Sequence, residues 1–79
     1  MKCNICIPTS LSNVISEEFA ASVGEDSFLE FECDTKDHQY YSYESDNHEN
    51  VRKLKEIVEV YDGRFIISEF WAMILDDET

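Results

Sequence analysis

The chain has 79 residues, of which 43% are hydrophobic and 13% aromatic, and 18 acidic against 6 basic residues give a formal net charge of −12. This composition predicts one small acidic globular domain over residues 1–79, because the chain is too short for a second core. The negative charge argues against direct binding to nucleic acid or to an anionic membrane, and no apolar run approaches the ~20 residues of a membrane span.

The charge also exceeds the magnitude of about 2–8 that keeps a small domain in solution. The excess charge therefore indicates a partner with a basic surface. The simpler explanation is a generally acidic cytosolic or halophilic protein. The three cysteines, an odd number, fit a reducing compartment with free thiols better than a disulfide framework. We expect a cytoplasmic protein.

The first third of the chain predicts a strand followed by a helix. Cys3, Ile5 and Ile7 alternate along one face of a short strand. Apolar residues then recur at helical spacing over residues 11–23, and Gly24 supplies a typical helix end.

The next stretch predicts a two-stranded hairpin with one anionic face. Residues 27–34 alternate strictly, with Leu29, Phe31 and Cys33 on one side and acids on the other, which are Glu30, Glu32 and Asp34. After a short polar connection, residues 39–44 predict an antiparallel strand. Its best register places Tyr41 and Tyr43 inward, and the outward residues are Tyr40, Ser42 and Glu44.

The second half predicts a helix and a final strand. The helix carries an apolar stripe made of Val51, Leu54, Ile57, Val58 and Tyr61. Within residues 47–61 three bases balance three acids, so the net charge lies elsewhere in the chain. Residues 64–75 read either as one long strand with a bulge near Ser68 or as a strand to Ile67 and then a short helix, and residue types favour the strand.

The resulting order of strand, helix, strand, strand, helix, strand predicts an α+β fold. It is the βαββαβ order of a ferredoxin-like sandwich, a four-stranded antiparallel sheet with two helices on one face. In that topology the first and third strands are central and the second and fourth are edges. The order of elements alone supports this interpretation.

The sequence contains no strong motif for catalysis, metal binding or phosphate binding. Cys3 and Cys6 form a C-x-x-C, but residues three apart on a strand face opposite sides, and Cys33 with His38 does not make a second close pair. The 2 glycines cannot form a phosphate-binding loop, and neither histidine has a nearby Ser or Cys placed as a nucleophile. We expect no enzyme activity, no cofactor and no metal.

The anionic row is the more specific signal for function. Strand residues two apart are ~6.6–6.8 Å apart, about the pitch of every second phosphate along one DNA strand. The expected partner-binding residues, on this row and around it, are Glu25, Asp26, Glu30, Glu32, Asp34, Asp37, Tyr40, Glu44 and Asp46.

Such a surface fits a protein that binds a basic, nucleic-acid-binding partner and blocks it, by mimicking nucleic acid. Phage-encoded antagonists of host defence, including anti-CRISPR and anti-restriction proteins, are comparably small and acidic. Two alternatives stay open: an antitoxin or immunity protein that neutralises a basic toxin, and a ferredoxin-like regulatory or dimerisation module. Charged protection of an exposed sheet edge is the plainer explanation of the row.

Overall fold

A computed structural model describes residues 1–67 of the chain. Four strands and two helices have the following bounds: β1 Lys2–Pro8, α1 Ser12–Val23, β2 Glu30–Asp34, β3 His38–Glu44, α2 His48–Val60 and β4 Arg64–Ile67. Short 3₁₀ turns precede and follow α1, at Thr9–Leu11 and Gly24–Asp26. The choice between strand and helix for residues 68–75 lies outside the described residues.

The strands form one sheet in the order β2-β3-β1-β4, and every neighbouring pair is antiparallel. β1 and β3 are therefore central, and β2 and β4 are the edges within the described residues, as the sequence predicted. The structure confirms a mixed α+β fold built from a four-stranded antiparallel sheet and two helices.

The core lies between both helices and one face of the sheet. β1 contributes Cys3, Ile5 and Ile7, each at most 2% exposed, which confirms the predicted alternation. The helices meet this face with buried side chains, which are Ile15 and Phe19 of α1 and Val51, Leu54 and Val58 of α2. Both helices cover one side of the sheet, and within residues 1–67 no helix covers the other side, which we call the open face.

The helix ends follow from local chemistry. Asn47 caps α2, since its side-chain oxygen accepts a hydrogen bond from the Glu49 backbone N–H at 3.0 Å. α1 ends at Gly24, whose φ of 66° lies in the left-handed region that glycine tolerates best. Neither helix is both long and apolar enough to cross a membrane, as far as residues 1–67 are concerned.

A tight turn joins α2 to β4. Asp62 has a φ of 61°, and the Gly63 backbone N–H donates a hydrogen bond to the Val58 carbonyl at 2.8 Å. An added Cβ at Gly63 would lie 2.7 Å from Val58 Cγ1 and 3.0 Å from the Cys6 carbonyl oxygen. The absence of a side chain therefore lets this turn press against both α2 and β1.

The predicted strict alternation of two faces along β2 is wrong beyond Phe31. Phe31 pairs with Tyr41, but the next paired residue is Cys33, opposite Tyr40, so a β-bulge shifts the strand by one position. Cys33 consequently shares the open face with Tyr40, and Asp34 pairs with Gln39 on the helix side. Glu30 and Asp34 therefore do not share a face, and the regular row of Glu30, Glu32 and Asp34 does not form.

The predicted faces of β2 are wrong because the whole strand is exposed to solvent. All 5 residues of β2 are exposed, and Phe31 itself is 51% exposed. A one-residue shift exchanges the two faces of a strand, and it is penalised only where one face is buried. β2 therefore tolerates the bulge, which is a common feature of sheet edges.

Candidate functional site

Acidic residues from three separate segments line a concave site at one end of the sheet. The site has a volume of about 280 Å³, and we call it the acidic pocket; its lining residues are Lys2, Glu25, Asp26, Phe28, Glu30, Ser42, Tyr43, Glu44 and Ser45. The acids come from the 3₁₀ turn after α1, the start of β2 and the end of β3. The fold, rather than the local sequence, therefore places these 4 acidic residues in one lining.

The turn that carries Glu25 and Asp26 is fixed from two directions. The Tyr43 hydroxyl donates a hydrogen bond to the Asp26 backbone carbonyl at 2.6 Å. The Asn50 side-chain amide, on a residue that is 6% exposed, donates to Asp26 Oδ2 at 3.3 Å. Tyr43 is itself held by Phe19, since the two rings meet edge to face at 5.0 Å. The acidic turn is thus attached to the hydrophobic core.

Basic residues do not balance the acids in the lining of the pocket. On α2, Arg52 pairs with Glu49 and Glu56, and Lys55 pairs with Glu59 at 3.1 Å. Lys2, opposite Glu44 in the β1–β3 register, is the one basic residue among the described residues that line the pocket. A concave surface with four acids and one base attracts positively charged groups.

Acidic residues that line one concavity can each contact a partner surface. Among residues 1–67, no three His, Cys, Asp or Glu side chains are grouped so that they could hold a metal ion. Spaced carboxylates instead accept separate charge-assisted hydrogen bonds, which arginine and lysine donate. Phe28, 77% exposed at the rim, adds apolar area beside them.

The structure separates the predicted site residues into two groups. Glu25, Asp26, Glu30 and Glu44 line the acidic pocket. The remaining predicted residues lie outside it, and they are Glu32, Asp34, Asp37, Tyr40 and Asp46. Sequence reasoning missed Lys2, Phe28 and Tyr43, because their proximity to the acids depends on long-range strand pairing; the exposed aromatic Phe28 beside an acidic loop was the one local signal.

The cysteines do not form a common site. Cys3 is buried in the core and pairs with Tyr43, whereas Cys6 pairs with Tyr40 on the open face. Burial raises the pKa of the Cys3 thiol to about 11, which keeps it protonated. Cys33 is exposed, and all three cysteines are free thiols.

A second cavity, of about 380 Å³, lies on the open face across β3, β1 and β4; we call it the open-face cavity, and its lining residues are Asn4, Ile5, Cys6, His38, Tyr40, Arg64 and Ile66. Its centre is one cross-sheet row, because Tyr40 pairs with Cys6 and Cys6 pairs with Arg64. A hydrogen bond between Tyr40 and the Cys6 side chain is the main cause that raises the pKa of the Tyr40 phenol.

Comparisons with known proteins give no relative: no protein-family model, no curated protein and no solved structure matches this chain.

Proposed function

We propose that this protein is an acidic inhibitor that binds a basic, nucleic-acid-binding partner protein, with the acidic pocket at the centre of its binding surface. The observation that carries the proposal is that 4 acidic residues from three segments line one concavity. A pocket of this kind fits a protruding arginine or lysine side chain.

The physical basis is charge complementarity. An arginine guanidinium offers five N–H donors in a planar fork that suits carboxylates, and arginine is enriched among the residues that dominate binding energy at interfaces. The exposed ring of Phe28 adds a surface on which a cation can stack. The net charge of −12 supports fast, salt-sensitive association with a basic surface.

Nucleic-acid-binding proteins are the class of partner with the most concentrated positive charge. An acidic protein seated on such a surface excludes the nucleic acid that the surface normally binds. This mode of action is that of the small acidic phage antagonists of host defence, such as anti-CRISPR and anti-restriction proteins. Because the bulge in β2 breaks the evenly spaced row, the proposal depends on the pocket and not on an exact copy of phosphate spacing.

We extend the proposal to fold and location. The element order and the central position of β1 and β3 support a ferredoxin-like sandwich. Free thiols support a cytoplasmic location.

The test compares two triple variants that change net charge equally. One reverses pocket residues, as Glu25→Lys, Glu30→Lys and Glu44→Lys; the other reverses acids outside the pocket, as Glu32→Lys, Asp34→Lys and Asp37→Lys. Each variant and the parent protein are immobilised and incubated with a bacterial lysate at low and high salt. Captured proteins are identified, and their nucleic-acid binding is measured by gel shift with and without the parent protein.

We expect the parent protein to capture a basic protein at low salt and to abolish its gel shift. The pocket variant should lose this partner, and the variant reversed outside the pocket should keep most of it. Equal loss in both variants would show that net charge, not the pocket, is responsible. A captured partner that still binds nucleic acid in the presence of this protein would exclude the inhibitor function.

A further inference from the structure

The open-face cavity differs in charge from the rest of this acidic protein. Among the described residues, its lining contains no carboxylate, although 18 of the 79 residues in the chain are acidic. It contains the Arg64 guanidinium, the His38 imidazole and the Asn4 side-chain amide instead. From this lining we infer that the open-face cavity binds a small organic anion, a carboxylate carried on a short apolar body.

Arg64 is the group that would meet the carboxylate. It is exposed at the start of β4, and within residues 1–67 it forms no ion pair, whereas Arg52 and Lys55 on α2 are paired with glutamates. Its charge lies close enough to the Tyr40 phenol to act on that pKa, in the direction opposite to the larger effect of Cys6. A guanidinium fork beside an apolar wall is a typical carboxylate-binding arrangement.

Apolar groups form the rest of the cavity. Ile66 is half-buried, Cys6 contributes a half-buried thiol, and the Tyr40 ring is 38% exposed. The volume of about 380 Å³ falls within the ~300–1,000 Å³ of typical ligand sites. These walls fit an aromatic ring or a short aliphatic chain, and they explain why an inorganic anion alone would be a poorer ligand.

The cavity also has the rigidity that recognition requires. Its residues lie on three adjacent strands, including the central pair β1 and β3, and not on loops. It is distinct from the acidic pocket, with which it shares no lining residue. The inference is therefore independent of the proposed inhibitor function.

Cys6 provides a direct measure of occupancy. In a Cys33→Ser background, Cys6 is the accessible thiol, because Cys3 is 0% exposed. We would measure alkylation of Cys6 by iodoacetamide, a neutral reagent, with three probes: benzoate, benzyl alcohol and inorganic phosphate. Benzoate has both a negative charge and an aromatic ring, benzyl alcohol has only the ring, and inorganic phosphate has only the charge. We expect saturable protection by benzoate with a Kd on the order of 1 mM, and an alkylation rate about tenfold lower at ~10 times that concentration.

Matched arginine variants identify the counter-ion. Arg64→Gln should abolish the protection, Arg64→Lys should retain part of it, and Arg52→Gln, which removes an exposed arginine from α2, should leave it unchanged. The inference is overturned if benzyl alcohol or phosphate protects as well as benzoate, or if protection survives Arg64→Gln. Amide chemical shifts of the unmodified protein, titrated with benzoate, give a second measurement that needs no variant; shifts that do not saturate, or that lie outside β1, β3 and β4, would also overturn it.

Discussion

Replacing Gly63 by alanine tests the packing between α2, β1 and β4. The new Cβ would lie 2.7 Å from Val58 Cγ1, 3.0 Å from the Cys6 carbonyl oxygen and 3.1 Å from Ile7 Cγ2. Val58 and Ile7 are both 0% exposed, and the Cys6 carbonyl belongs to the central strand β1. None of these atoms can therefore move away freely. Overpacking of this kind costs about 1–3 kcal/mol.

The sign of the effect decides between two explanations. Where the backbone allows it, a Gly→Ala change stabilises a protein by about 0.4–1 kcal/mol, because the unfolded chain loses conformational entropy. For Gly63→Ala we expect the opposite, a net destabilisation of about 1–2 kcal/mol. At ~0.05–0.15 kcal/mol per residue, the whole chain has a free energy of unfolding of only about 4–12 kcal/mol, so the loss is easily measured.

Urea denaturation followed by circular dichroism measures this change. The closest clash is with Val58, and a double-mutant cycle with Val58→Ala therefore isolates it: Gly63→Ala should cost at least ~1 kcal/mol less in the Val58→Ala background. Asp62→Gly, at the neighbouring residue with a φ of 61°, serves as a control for turn flexibility and should be neutral or stabilising. A Gly63→Ala protein as stable as the parent would refute the packing argument.

Three further predictions concern the pocket, the α2 cap and a buried thiol. Tyr43→Phe removes the hydrogen bond to the Asp26 carbonyl and should lower the free energy of unfolding by about 1 kcal/mol in urea denaturation, more than Tyr41→Phe, whose hydroxyl bonds only the neighbouring Gln39 side chain. Asn47→Ala removes the α2 cap and should cost about 1 kcal/mol in the same assay, with reduced helical circular dichroism as its signature. Burial raises the pKa of the Cys3 thiol from 9.0 to about 11. The stability that the buried, protonated thiol contributes is therefore complete below about pH 9 and is lost as the pH rises through 11. The free energy of unfolding, measured over this range, should fall less steeply for Cys3→Ala than for the parent protein.

Sequence patterns correctly predicted the elements that bury one face in the core and expose the other. The alternation of Cys3, Ile5 and Ile7 and the α2 stripe both face the core, where any change of phase would expose apolar area. Strand β2 showed an equally regular pattern, yet the prediction of its faces failed beyond Phe31. Neither of its faces is buried, so the alternation carried no energetic consequence.

The candidate site was predicted in composition but not in arrangement. The sequence predicts Glu25, Asp26, Glu30 and Glu44 as binding residues, but its alternating pattern favours a straight row of acids along β2. The pocket depends on the pairing of β1 with β3 and on the long-range hydrogen bond from Tyr43 to Asp26. Contacts between residues far apart in the chain leave no periodic signature in the sequence, and this explains what the patterns could not predict.

The exposed edge strand β2 makes the protection against self-association conditional on pH. At neutral pH two copies that met edge to edge would bring the acidic residues Glu30, Glu32 and Asp34 close to those of the second copy, and their repulsion would oppose pairing. Near the sequence pI of about 4.2 the net charge of the chain approaches zero, while Phe31 is 51% exposed on the same strand. On acidification, the unpaired backbone groups of β2 can therefore form hydrogen bonds with the same strand of a second copy. We expect the protein to precipitate when it is acidified during handling or crystallisation.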